Sequence, residues 1–280
     1  MKQQPESPHQ SNKFVTLQLI MKIREIIGAL EDFAPLALQD GFDNAGLQIG
    51  LTEDVDATGV LLSLDVTEEV VDEAIARGCN MVVSHHPLLF HPVKSITGND
   101  YIGRIIMKAI KNGIVLYAAH TNLDNAPGGV NHKIAARLGL SDLDWLEPKA
   151  GQDGGSGLIG TLASPVSKEN FIQQVKQTFG VECVRHNDWH GETIRKVALC
   201  GGAGAFLIPK AIEMGADAYV TGEIGYHRFF GHEDDVLMLE IGHYESEQYT
   251  TEILHDIITA TAPTLPIHTT QLRVNPIHYE

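Results

Sequence analysis

Residues 59–91 read GVLLSLDVTEEVVDEAIARGCNMVVSHHPLLFH, and this stretch decides the fold. An unbroken apolar run, residues 59–66, predicts a strand buried on both faces. Thr67 follows as an N-cap, with acidic residues in the first turn, and Gly78 closes the helix that the pattern predicts over 67–78. A second apolar run, Asn80 to Ser84, predicts a parallel partner strand. It drives straight into His85 and His86 and is stopped by Pro87.

Outward from this unit the same alternation continues. IREIIGALEDF reads as an amphipathic helix ended near Pro35. YIGRIIMKAIKNG predicts the next helix, IVLYAAH the third strand, and VNHKIAARLG a helix after the loop TNLDNAPGG. A second series follows: the strand LIGTLA, a helix from Ser167, the strands VECVRH and KVALC, and a glycine-rich turn. The helix AFLIPKAIEMG, the strands ADAYVTG and DVLMLEIG, the helix YESEQYTTEILHDII and a terminal strand QLRVNP complete it. Such alternation predicts an α/β fold: two similar lobes with mainly parallel sheets. The glycine-rich KAGQDGGSG at 149–157 reads as the linker. The expected division is a disordered leader over 1–20, a first lobe over 21–150 and a second over 151–280, with one intertwined domain as the alternative. Met21 reads as a second candidate start of translation.

Composition narrows the function classes. The 280 residues carry a formal charge of −16, which argues against nucleic-acid binding because neutralising phosphates needs clustered Lys and Arg. No apolar run is long enough to span a bilayer, and the N-terminal residues resemble neither a signal nor a transit peptide. The cysteines Cys79, Cys183 and Cys200 are widely separated, which argues against a thiolate metal site or a disulfide framework and fits a cytoplasmic location.

In parallel α/β sheets ligands gather beyond the carboxyl ends of strands. Four strands here end in polar residues: His85-His86, His120 with Asp124, Glu223 with His227, and His243 with Glu247. His243 and Glu247 stand at i and i+4 of a helix and share a face, so they are either two legs of a divalent-metal site or a surface pair that helps the helix start. His85 and His86 point to opposite faces of an extended strand; they serve two neighbouring metals, or one is a core histidine and the other exposed. Asp124 is a ligand or a turn-former, with Asn122 and Asn125 the better candidates for the turn and His120 a support for a ligand. Together, three imidazoles and two carboxylates suit two divalent ions such as Zn, Mn, Fe, Ni or Co, which would clamp a small-molecule substrate. CGGAGAF at 200–206 lacks both a Walker pattern and the third glycine of a dinucleotide fingerprint, and reads as a tight turn rather than an anion cradle. Ser84 lacks the elbow of a serine hydrolase. Trp145 and Trp189 read as packing residues.

With these residues in place, the sequence resembles the Nif-three-like dinuclear metal-binding family, whose bacterial members carry the name GTP cyclohydrolase I type 2 homolog. The resemblance rests on DNAGLQIG, VVSHHPLLF, AAHTNLDNAPGGVNHKIAARLGL, CGGAGA, GADAYVTGEIGYH, GHYESE and NPIHYE, in that order from Met21 onward. It implies the compact form without an inserted domain, two metal ions in a cleft between the lobes, and His85, His86, Asp124, His243 and a bridging Glu247 as ligands. It also implies a ring-like homohexamer and hydrolysis of a nucleotide such as GTP. The residues themselves are equally compatible with a phosphoesterase, or with a non-catalytic metal chaperone or regulatory scaffold.

Overall fold

The computed structural model describes residues 21–280; the leader read over 1–20 lies outside the described residues. Helix α1 (Ile23–Phe33) buries Ile23, Ile26 and Leu30, spaced along one helical face, and ends before Pro35. Strand β1 (Gly46–Ile49) and strand β2 (Val60–Ser63) follow. Helix α2 (Glu68–Ala76) starts at Thr67, whose hydroxyl accepts the Val70 amide at 3.2 Å, and strand β3 (Met81–Ser84) succeeds it. Helix α3 (Tyr101–Lys111) is capped by Asp100, which accepts the Gly103 amide at 2.8 Å. Strand β4 (Val115–Ala118), the single turn α4 (Thr121–Asp124) and helix α5 (Val130–Leu138) complete this half.

The second half comprises β5 (Ser141–Pro148), β6 (Gly155–Ser167), α6 (Lys168–Phe179), β7 (Arg185–His186), β8 (Thr193–Cys200), α7 (Ile208–Glu213), β9 (Ala218–Thr221) and β10 (Leu237–Glu240). It closes with α8 (His243–Glu247), α9 (Thr250–Thr261) and β11 (Ile267–Thr269). Three local readings differ from the sequence-based expectation. The glycine-rich segment after Pro148 is the turn of a β5–β6 hairpin, closed by the Lys149 amide on the Gly154 carbonyl at 2.9 Å, and is not a linker. Only Arg185 and His186 of VECVRH form a strand. The terminal strand lies at Ile267–Thr269 rather than in QLRVNP; the Thr270 amide makes one further bond to the Leu62 carbonyl at 2.9 Å, and its hydroxyl donates to Glu73.

The first sheet has the order β1-β4-β3-β2-β11, and the second β5-β6-β8-β9-β10-β7. Every pair of the first is parallel except β1–β4. In the second, β8–β9–β10 is parallel and is flanked by antiparallel pairs. Strand pairing crosses residue 150 in both directions: β5 belongs to the second sheet, and β11 returns to the first.

Alternation along the parallel strands divides the core. Leu62, Val83 and Tyr117 of the first sheet and Leu199, Val220 and Leu239 of the second face a shared layer containing α1, α5, α6 and α9. Their neighbours Leu61, Val82 and Leu116 face α2 and α3. Ala198, Tyr219 and Met238 face α7 on the far side. The shared layer holds the two sheets together, and the carboxyl ends of β2, β3, β4, β8, β9 and β10 deliver polar residues to one place.

Candidate metal centre

The first sheet contributes His85 and His86. The β3 ladder continues past Ser84, with the His85 amide on the Ser63 carbonyl at 3.3 Å and the His86 amide on Leu64 at 2.9 Å. Each ring is then held by Nδ1. His85 Nδ1 meets the Ala119 carbonyl at 2.7 Å, and His86 Nδ1 meets Asp65 Oδ1 at 2.8 Å. One turn beyond β4, α4 presents Asp124. Asn122 and Asn125 take the structural work there, their amides donating to the carbonyls of Ala34 and Leu38.

The second sheet contributes α8. Gly242, at φ +97°, turns the chain from β10 into the helix, a conformation that a side chain rarely adopts. His243 Nδ1 meets Glu223 Oε1 at 2.8 Å. Glu247 lies one turn on, with a side chain only 4 % exposed. Beneath it runs the glycine-rich turn after β8, where a Cβ on Gly202 would overlap Glu247 Oε1. Three amides of the turn are already taken, Gly201 donating to Asn131, Gly202 to Ser246 and Gly204 to Thr221, as befits a tight turn rather than an anion cradle.

The five residues read as ligands therefore meet. Glu247 Oε2 lies 3.0 Å from His86 Nε2 and 3.1 Å from His243 Nε2, while Oε1 lies 3.6 Å from His85 Nε2. His85 Nε2 is also 3.6 Å from Asp124 Oδ1. Three groups of ligating atoms lie within 4.8 Å of one another: His86, His243 and Glu247; His85, Asp124 and Glu247; and His85, His86 and His120. His85 Nε2 and Asp124 Oδ1 are buried without any hydrogen-bond partner. A buried imidazole nitrogen facing a buried carboxylate oxygen, both unpartnered, is costly unless a cation lies between them. The donor set and these two orphaned atoms fit divalent metal ions.

The electrostatics agree. Burial would pull His86 down, but hydrogen bonds to Asp65 and Glu247 outweigh it and lift the ring to about 10. His243, with the same opposition between burial and Glu247, rises to about 9. Burial keeps His85 below its ordinary value. Burial and the Glu247 charge push Asp124 well up. Burial alone would raise Glu247, but the surrounding imidazoles of His85, His243 and His86 hold it well below the carboxylate range. Asp43 is brought down to about 2: hydrogen bonds from His120 and Thr121 overcome the effect of its burial.

Sequence reading missed three acceptors: Asp65, Asp43 and the specific pairing of Glu223 with His243. His227 and His91 stay outside the cluster, packed edge-on against Tyr226 and Phe90 respectively. Ser84 donates to backbone carbonyls, those of His86 at 2.8 Å and Tyr117 at 3.5 Å. The cluster opens into a cavity of about 390 Å³ lined in part by Phe42, Phe90 and Phe206.

Two α/β sheets whose strand ends converge on buried imidazoles and carboxylates define an α/β protein with a cluster able to hold metal ions. A family model described as Duf34/NIF3 (NGG1p interacting factor 3) matches residues 21–276, and the chain belongs to that family. It is 37% identical over 229 residues to a Clostridium perfringens protein named GTP cyclohydrolase 1 type 2 homolog, covering 81% of this chain and 87% of that one. A Lactococcus lactis protein of the same name is 32% identical over 266 residues, 92% of this chain and 99% of that one. Among solved structures, a Staphylococcus aureus hypothetical protein superposes with a TM-score of 0.84 at 29% identity, over 93% of this chain and 100% of that one. No helix among the described residues is long and apolar enough to cross a membrane.

Proposed function

We propose that the chain is a dinuclear metal-dependent hydrolase of a small polar substrate. One divalent ion would be held by His86, His243 and Glu247, the other by His85, Asp124 and the same Glu247. The observation that carries this reading is the Glu247 carboxylate, with His86 and His243 on one oxygen and His85 on the other. Bound ions of this kind supply Lewis acidity and lower the pKa of water.

The chain's own part is orientation. Asp65, the Ala119 carbonyl and Glu223 each accept from an imidazole Nδ1, which fixes the ring and directs Nε2 inward. The cavity, at about 390 Å³, falls in the size range of small-molecule sites. The name shared by the relatives makes GTP the first substrate to test, with a phosphoester next.

Elemental analysis of purified protein should find about two ions per chain, falling in Glu247→Ala with the fold intact. Metal-loaded protein incubated with GTP should release formate; phosphate release from a phosphoester panel without formate would move the assignment to a phosphoesterase. Stably retained metal with no turnover of either would favour a non-catalytic scaffold. The proposal extends to a homohexamer in a reducing cytoplasm, where Cys79, Cys183 and Cys200 stay free thiols. The native mass in solution tests the assembly.

A further inference from the structure

The motif DNAGLQIG at residues 43–50 takes no part in the ligand cluster, yet its first residue lies beside it. The Asp43 side chain is fully shielded from solvent, and four donors converge on it. Oδ1 accepts from His120 Nδ1 and from the Asn44 amide, each at 2.6 Å. Oδ2 accepts from the Thr121 amide at 3.0 Å and from the Thr121 hydroxyl. The His120 backbone is pinned as well, its amide donating to Asn122 Oδ1 at 2.9 Å.

An ionised carboxylate can only accept, so Nδ1 of His120 carries a hydrogen and Nε2 is the nitrogen left for other partners. That ring lines the cavity. It stands edge-on to His85 and His86, with centroids 5.3 and 5.5 Å away, and Phe90 covers it from another side at 6.0 Å. His85, His86 and His243 all direct Nε2 at a carboxylate. Among the described residues, His120 pairs with a carboxylate only through Nδ1. Its Nε2 is therefore held in a fixed direction with no carboxylate paired to it.

We propose that His120 is the proton-transfer residue of the hydrolytic site and that Asp43 is its positioning residue; this rests on the hydrolase reading above. Nε2 takes a proton from the attacking water as the water oxygen bonds to the electrophilic carbon or phosphorus of the substrate. The bond from that atom to its leaving nitrogen or oxygen breaks, and the electron pair stays on the leaving atom. Nε2–H then returns the proton to that atom. Each bond cleaved consumes one water, so formate release from the purine of GTP takes two rounds. In the first, the water's second hydrogen ends on the other imidazole nitrogen of the purine. The His120 ring ends each round as it began, and nothing is oxidised or reduced.

The test uses the full-length, metal-loaded protein with GTP and bis(4-nitrophenyl) phosphate as probes. His120→Ala should keep its metal by elemental analysis, lose roughly 10²- to 10⁴-fold in kcat with little change in KM, and recover part of the rate with added imidazole. Asp43→Asn should lower kcat less and retain metal. In ¹⁵N NMR spectra of the loaded wild type, His120 should show a protonated Nδ1 and an unligated Nε2, a pattern that Asp43→Asn disturbs. Loss of an ion from His120→Ala, or a metal-shifted Nε2, would make His120 a ligand and overturn the assignment. Unchanged kcat in His120→Ala would overturn it while leaving the hydrolase reading intact. Wild-type protein that holds metal and turns over neither probe would remove the hydrolase reading, and this assignment with it.

Discussion

Loading the metal-free protein with a divalent ion at pH 7 should release protons, and the cluster fixes how many. His86 at about 10 and His243 at about 9 are both protonated at that pH, each donating Nδ1–H to an acceptor and Nε2–H to Glu247. An ion bound through both Nε2 atoms must displace two protons. At 1.36 kcal/mol per pH unit, three units for His86 and two for His243 amount to about 7 kcal/mol of proton competition at pH 7. The position formed by His85 and Asp124 behaves differently. Burial holds His85 below its ordinary value, and burial together with the Glu247 charge pushes the Asp124 carboxyl up.

The apparent affinity for the ion held by His86 and His243 should therefore rise about 100-fold per pH unit between pH 7 and 8, two protons for one ion. Titration calorimetry of zinc into chelator-stripped protein, repeated in buffers of different ionisation enthalpy, counts the protons directly. Release of fewer than one proton by every bound ion, together with a slope of log affinity below one over that interval, would refute the arrangement. It would mean that the imidazoles around Glu247 are neutral in the metal-free protein, or that metal binds elsewhere.

Stability should follow the same linkage with the opposite sign. His86 and His243 have raised values in the folded chain, so their contribution is complete below about pH 6.5 and is lost as pH rises through about 9 and then 10. The melting-temperature gap between loaded and metal-free protein should widen from pH 6.5 to 9; a constant gap would count against it. Gly202→Ala puts a Cβ onto Glu247 Oε1 at φ +59°, so elemental analysis should find metal lost, with destabilisation of about 1 kcal/mol or more in a urea melt. Full metal content in that variant would show that Glu247 is not held in place by the glycine turn. Thr67→Ala removes the α2 cap and should cost about 1 kcal/mol in the same melt, leaving metal content unchanged.

The parts legible from sequence are those fixed by local pattern. Apolar runs of four residues, caps at Thr67 and Ser167, and polar residues just past strand ends all report on themselves. The parts that escaped depend on a partner far along the chain. Asp43 sits in a loop with no periodicity, and its histidine is 77 residues away. Asp65 follows the strand-end rule but was hidden inside an apolar run, because Leu64 and Val66 flank it and the strand stops one turn of sequence earlier than the run does. Strand β5 escaped because only Leu146 of its eight residues is buried, so no alternation marks it. Without β5, the glycines after Pro148 read as a linker rather than as the hairpin turn they form.

The adjacent histidines show how a local rule gives way where a strand ends and tertiary structure takes over. Strict alternation would send His85 and His86 to opposite faces, but β3 ends at Ser84 and both rings turn Nε2 toward Glu247. His85 Nδ1 is held by the carbonyl of Ala119 beyond β4 and His86 Nδ1 by Asp65 beyond β2. On one sheet alone these would be two unrelated side chains. The second sheet supplies Glu247, whose two oxygens are spaced to meet one imidazole each, with His243 beside the second. A carboxylate with two oxygens is thus what joins the histidines, and the two proposed cation positions would share it. A single amide oxygen in its place, as in Glu247→Gln, could serve one position only.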